Sequence, residues 1–280
     1  MKPLGIVGPS DAGKTTLVER LLRRLDDRGR VATVKHIDCE ATVDVEGKDT
    51  YRHRDAGAEE TYGVQPDGSW FATGADRTLD DLLADLAPDY DYVLVEGYSD
   101  AAIPTVALAG RDHAGETVAT APDADSVDLD AVLAALEDHQ PFETLESLVA
   151  RVKGSPKSEY AGAIATFTGR VRQKEGPDDE PTAHLEFEKY EAVADERMAT
   201  IREELEAREG VQEVRLHHRT GVIGGGEDIV FVVVLAGHRD EAFETVSDGI
   251  DRLKEEVPLF KKEVTVDEAF WRHEAEPGIE

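Results

Sequence analysis

Gly8-Pro-Ser-Asp-Ala-Gly13-Lys14-Thr15-Thr16 is the stretch that decides how the first half of this chain folds. It fits G-x-x-x-x-G-K-[ST], in which glycines let backbone N–H groups turn inward around a phosphate. The flanks agree with that reading. Pro3-Leu-Gly-Ile-Val7 is a short apolar run readable as a buried strand, and Leu17, Val18, Leu21, Leu22 and Leu25 recur at helical spacing. Strand, glycine loop and helix together bring the positive end of the helix to the phosphates. Lys14 would reach the outer phosphates and the Thr15 hydroxyl would bind Mg²⁺. Gly8, Pro9, Ser10, Asp11, Ala12, Gly13, Lys14, Thr15 and Thr16 are the candidate nucleotide-binding residues. The competing reading is a Gly-rich turn that matches by chance.

Working outward, Arg30-Val-Ala-Thr-Val34 reads as a second strand, followed by Lys35-His36. A polar region from Asp44 to Ala58 carries a basic cluster at Tyr51-Arg52-His53-Arg54. Two readings stand for it: contact with phosphate or an acidic partner, or a helix face paired with nearby carboxylates. Leu79, Leu82, Leu83 and Leu86 mark an amphipathic helix. Tyr92-Val-Leu-Val95 is a buried strand ending in Glu96-Gly97. An acid at the end of a core strand near the phosphate loop is where a Mg²⁺-organising carboxylate belongs, so Glu96 joins Thr15 as a metal candidate. Two more strands, Pro104–Leu108 and Glu116–Thr120, and a helix over Leu129–Leu136 complete the half.

The 280 residues suggest about two domains. Asp138-His-Gln-Pro141 breaks the pattern, which sets a boundary near residue 140 and domains of 1–139 and 140–280. The chain has 61 acidic and 31 basic residues and a formal charge of −30. Such a charge repels nucleic acid and anionic membrane surfaces, so neither is an expected partner. The acids are spread over every expected helix, as in adaptation to a salty cytoplasm; an ordinary acidic protein is the alternative. Cys39 is the only cysteine, so no disulfide can form within the chain. With no signal-like or membrane-spanning apolar stretch, a soluble cytoplasmic protein is expected.

The second half changes period. After a helix carrying Leu145, Leu148, Val149 and Val152, strands are expected at Gly162–Phe167 and His184–Glu188. A helix over Ala194–Arg208 follows, then strands Val211–His218 and Asp228–Leu235. Gly224-Gly225-Gly226 between them could cradle phosphate but reads rather as a hairpin turn. A last helix carries Phe243, Val246, Ile250 and Leu253 and stops before Pro258. This order gives an α+β domain with an antiparallel sheet behind an α/β nucleotide-binding domain. Cations collect at Arg170-Val171-Arg172, at His238-Arg239 and at Lys254 with Lys261-Lys262. They suit an anionic ligand, or surface salt bridges with the abundant acids.

Two resemblances sharpen these expectations. Gly8–Thr16, Lys35-His36, Gly47-Lys48-Asp49-Thr50, Arg52-His53 with Ala56-Gly57-Ala58, and Val93-Leu-Val-Glu96-Gly97 resemble the molybdopterin-guanine dinucleotide biosynthesis adaptor protein B family. That likeness covers about the first 137 residues and implies a phosphate-loop NTPase fold and GTP with Mg²⁺. It also implies a molybdenum cofactor guanylyltransferase as partner and a weak GTPase activity. No Asn-Lys-x-Asp guanine-reading motif is present, so the choice of GTP is carried by the resemblance.

Gly162-Ala163, Phe167-Thr-Gly-Arg170-Val171-Arg172, His218-Arg219, Gly226-Glu227, His238-Arg239, Leu253-Lys254 and Pro258-Leu-Phe-Lys261-Lys262-Glu263 resemble the large, catalytic subunit of molybdopterin synthase. The resemblance implies conversion of cyclic pyranopterin monophosphate to molybdopterin by insertion of two sulfurs as a dithiolene. The sulfur comes from a small ubiquitin-like subunit carrying a C-terminal thiocarboxylate, and the large subunits form a homodimer. Lys254 and Lys261 are then the catalytic residues. Arg170, Val171, Arg172, His238, Arg239, Lys262 and Glu263 bind substrate, with no tightly bound cofactor in this domain. The absence of any cysteine after Cys39 suits a sulfur donor carried by another polypeptide. The alternatives are a nucleotide or small-molecule kinase with a ligand-binding second domain, and a non-catalytic regulatory module. No Arg-rich lid follows the phosphate loop to favour the kinase.

Overall fold

The computed structural model describes residues 1–39, 44–174, 176–177, 180–189, 191–265 and 269–273. The chain forms two compact units, Met1–Phe142 and Glu143–Glu280. In chain order the first contains β1 Lys2–Val7, α1 Lys14–Leu25, β2 Val31–Lys35, α2 Asp49–Asp55, β3 Glu60–Val64 and β4 Trp70–Gly74. It continues with α3 Leu79–Leu86, β5 Tyr92–Glu96, β6 Thr105–Leu108, β7 Thr117–Ala121 and α4 Leu129–Asp138. Five strands pair in the order β2-β5-β1-β6-β7, all parallel.

Parallel strands covered on both faces need continuous apolar runs, and Tyr92–Glu96 is buried at every position. Leu4, Ile6 and Leu94 pack against Leu17, Leu21 and Leu25 of α1 and Val132, Leu133 and Leu136 of α4. Val93 and Val95 point the other way, into a cluster with Val34 and Leu83 of α3. Local chemistry sets the helix starts. Thr78 and Asp81 form a reciprocal capping box on α3, and Asp128 accepts from the N–H groups of Asp130 and Ala131 at α4. The β3–β4 hairpin, a separate two-stranded sheet, is an element that apolar periodicity did not mark.

The second unit contains α5 Leu145–Lys153, a 3₁₀ turn Pro156–Tyr160, β8 Ala163–Arg170, β9 Thr182–Lys189, α6 Glu191–Glu206, β10 Val211–His218 and β11 Gly221–Gly224. β12 Asp228–Ala236, α7 Arg239–Glu256, β13 Leu259–Thr265 and β14 Ala269–His273 follow. One sheet has the order β10-β12-β8 and the other β11-β9-β13-β14, both antiparallel throughout. Val230, Val232, Val234 and Ala236 face α6 and α7, while Phe231, Val233 and Leu235 face α5. Alternation along β12 thus fills two layers at once.

Two expectations need correction. Gly224–Gly226 does not close a simple hairpin between β10 and β12. β11 intervenes, pairs with β9 in the other sheet, and the glycines turn the chain back, with Gly226 at φ 91°. Phe243 does not belong to the buried stripe of α7 and is 65% exposed. That stripe is Ala242, Thr245, Val246, Gly249, Ile250 and Leu253. At about 100° per residue, Phe243 stands at the edge of that stripe, about 20° beyond Ile250 and about 160° from Thr245.

Candidate functional site

The phosphate loop leaves the carboxyl end of β1, in the middle of the parallel sheet, where open α/β sheets place their ligands. Gly13 caps α1 at φ 87°, a left-handed conformation that disfavours a side chain. A Cβ there would lie 2.8 Å from the Ala124 Cβ, and one at Gly8 would lie 2.9 Å from the Leu108 Cβ. The loop is therefore pressed against its neighbours at both glycines. Lys14 folds back along it, its ammonium donating to the carbonyls of Gly8 at 2.9 Å and Pro9 at 2.8 Å. The first turn of α1 holds no acid to offset its positive end. Pro9, Ser10, Asp11 and Thr16 are exposed around it.

Three side chains converge beside this loop. The Thr15 hydroxyl donates toward Glu96 Oε1 at 3.1 Å and lies 3.2 Å from Oε2. Lys35 donates to Glu96 Oε1 at 2.8 Å, and its Nζ lies 3.4 Å from Thr15 Oγ1. The register explains the meeting, since Lys35 and Glu96 are partners at the ends of β2 and β5. A hydroxyl and a carboxylate are hard oxygen donors. They fit Mg²⁺, which takes one or two protein ligands and completes its shell with phosphate and water. Sequence reasoning chose Thr15 and Glu96 but passed over Lys35, because strand order is not written in the chain.

The basic cluster near residue 52 resolves in favour of pairing with carboxylates. Arg52 lies 3.7 Å from Asp49, Arg54 lies 3.4 Å from buried Asp44, and Thr50 donates to Asp44 at 2.7 Å.

In the second unit the expected substrate residues fall into two groups. Arg170 ends β8 and Arg172 follows it; β8 runs antiparallel to β12, so both sit at the Asp228 end of that strand. α7 returns from the other end of β12, which brings Lys254, in its last turn, back to the Asp228 side. His238 and Arg239 begin α7 and lie at the far end. Lys254 is sixteen residues beyond His238, about 24 Å along a helix. One chain therefore does not bring His238 and Arg239 to Lys254.

Pairing divides the same residues differently. Arg170 donates to Asp228 at 3.0 Å and to the Gly226 carbonyl. Arg239 donates to Asp240 at 3.0 Å, and Lys262 pairs with Glu186 at 3.0 Å, its register partner across β9. Arg172, His238 and Lys254 are exposed and have no carboxylate partner among the described residues. Val171 is buried with Leu185, Phe187 and Ile223, and its N–H and C=O bond to Glu227 and Gly226. Its side chain and backbone are thus committed to holding the arginines on either side. Lys261 and Glu263 stand in β13 opposite Phe187 and Leu185; their side chains lie outside the described set.

Residues 3–134 match the family model for molybdopterin guanine dinucleotide synthesis protein B, and residues 138–256 match that for the MoaE protein. A probable molybdopterin synthase of Haloferax volcanii is 56% identical over 274 residues, covering 98% of this chain and 100% of that one. A molybdopterin synthase catalytic subunit of Caulobacter vibrioides is 40% identical over 124 residues, covering 44% of this chain and 78% of its own. The crystal structure of molybdopterin synthase from Staphylococcus aureus is 33% identical, with a TM-score of 0.39, covering 41% of this chain and 82% of that one. Likeness running through both halves of one relative leads to one assignment: the chain belongs to the molybdopterin synthase family of molybdenum cofactor biosynthesis.

Proposed function

We propose that the second domain converts cyclic pyranopterin monophosphate to molybdopterin, taking two sulfurs from the thiocarboxylated C-termini of small ubiquitin-like carriers. The observation that carries this reading is that basic residues without a carboxylate partner fall within the stretch that matches the MoaE protein model, residues 138–256. In a chain with 61 acids to 31 bases, Arg172, His238 and Lys254 stay exposed and without a carboxylate partner among the described residues. A phosphorylated substrate supplies the missing anion. Lys254 and Lys261 transfer protons and stabilise charge at the reacting pterin. Arg172, His238 and Arg239 hold the phosphate and the ring, while Arg170, Val171, Lys262 and Glu263 fix the surrounding backbone and charge. No cysteine follows Cys39, so the sulfur arrives on a partner. The separation of His238 from Lys254 supports a homodimer in which one copy's His238 and Arg239 serve the other copy's Lys254.

The first domain binds GTP through Gly8–Thr16, with Mg²⁺ on Thr15 and Glu96, and works with a guanylyltransferase in the later dinucleotide step. The test of the main reading is turnover of the cyclic substrate by the full chain with thiocarboxylated carrier. Dithiolene should form with the wild type and be lost in Lys254→Ala. Failure of the wild type to form it, or full activity in the variant, would overturn the assignment.

A further inference from the structure

We propose that Lys35 is a cation gate on the phosphate site: its ammonium occupies the Thr15–Glu96 oxygen pair and yields it only to a metal ion that arrives with phosphate. This rests on the reading that Thr15 and Glu96 hold Mg²⁺. Lys35 Nζ lies 2.8 Å from Glu96 Oε1 and 3.4 Å from Thr15 Oγ1. Those are the oxygens a divalent ion would take. An ammonium and a divalent ion cannot share them, because two cations a few ångströms apart repel strongly even at an effective dielectric of about 20.

The two partners differ in freedom. The Glu96 side chain is 10% exposed and fixed at the end of a core strand, whereas the Lys35 side chain is 55% exposed on a flexible four-carbon stem. Glu96 stays and Lys35 moves. A nearly buried carboxylate without a cation would be costly, and Lys35 supplies one. A bare divalent ion must displace that ammonium and still lacks most of its ligands. An ion bound to nucleotide brings phosphate oxygens with it, and the displaced ammonium gains phosphate charge within reach. The gate has a purpose in this chain. A formal charge of −30 concentrates divalent ions around the surface, and an open carboxylate would load without nucleotide.

The experiment titrates Mn²⁺ into the full chain, with and without GTP, and reads free ion by electron paramagnetic resonance. Glu96→Gln sets the background from surface acids. Wild type should bind site-specific Mn²⁺ with GTP and weakly without it. Lys35→Met should raise the nucleotide-free affinity roughly tenfold and shrink the coupling between ion and nucleotide. Lys35→Arg, which keeps the charge, should behave as wild type. A thermal melt of each variant controls for folding. If Glu96→Gln leaves Mn²⁺ binding with GTP unchanged, the metal assignment falls and the gate with it. If Glu96→Gln abolishes that binding but Lys35→Met leaves nucleotide-free affinity at the wild-type value, the gate alone falls and Lys35 is a structural ion pair.

Discussion

Two impaired variants should restore each other if the cation site is completed between copies. The perturbations are His238→Ala and Lys254→Ala, made in separate full-length chains. His238 caps α7 without a side-chain hydrogen bond, so its loss removes no cap interaction. Lys254 is exposed in the last turn, so its loss leaves the core untouched. Removing one charged contact to phosphate costs about 1.5–3 kcal/mol, roughly 10- to 150-fold in turnover. Removing a proton-transfer group costs about 10²–10⁴-fold.

The two residues are about 24 Å apart along α7, too far to meet one substrate from the same chain. A mixed dimer then holds one site with both residues intact and one site with neither. Random reassortment makes half of the dimers mixed, and half of their sites intact, so the mixture should recover about one quarter of wild-type turnover. The assay is dithiolene formation from the cyclic substrate and thiocarboxylated carrier. Differently tagged chains, mixed and reassorted, allow the mixed dimer to be isolated and verified. A verified mixed dimer no more active than its parents would refute the shared site, as would full activity from a chain shown to be monomeric.

Three further outcomes are expected. Gly13→Ala forces a left-handed side chain and a 2.8 Å contact with Ala124. Urea unfolding should show a loss of at least about 1–2 kcal/mol, and nucleotide binding should fall with it. Leu253→Ala removes a buried side chain of α7, and denaturant unfolding should show a loss of about 2–5 kcal/mol in the second unit. Burial, reinforced by the 2.6 Å hydrogen bond to Glu137, pushes the Tyr92 phenol up to about 12. A raised pKa contributes stability that is complete below the ordinary phenol value of about 10 and is lost as pH climbs from there to about 12. Tyr92→Phe should remove this alkaline slope from unfolding measured between pH 8 and pH 12, and an unchanged slope would show that Tyr92 is not its source.

What the sequence disclosed follows a physical division. The phosphate loop is readable because its chemistry is contiguous: Gly8, Gly13, Lys14 and Thr15 act within one turn of chain. Glu96 is readable by its place at the end of an apolar run. Lys35 is not, because its role depends on β2 lying beside β5, and parallel neighbours are chosen by packing across the whole sheet. β11 was hidden for the same reason, being four residues whose partner, β9, comes from the far side of α6. The β3–β4 hairpin was hidden differently. Its outer face carries exposed Tyr62, Val64 and Trp70, so its strands lack the polar side that marks a half-exposed sheet.

The cations show why charge spacing along a chain is a weak guide to which charges a ligand can use. Arg239, Lys254 and Lys262 each precede an acid, at Asp240, Glu255 and Glu263. Arg239 pairs with its neighbour in the first turn of α7. Lys254, in the last turn of the same helix, has no carboxylate partner among the described residues, although Glu255 follows it. Lys262 pairs with Glu186, 76 positions away, because β13 and β9 set them opposite one another. A phosphorylated ligand meets little net charge at Arg170 or Lys262, where a carboxylate already stands, and competes with Asp240 for the exposed guanidinium of Arg239. It meets an uncompensated charge at Arg172 or Lys254 and an imidazole with no carboxylate partner at His238, and the pairing of strands, not spacing along the chain, decides which cations are already matched.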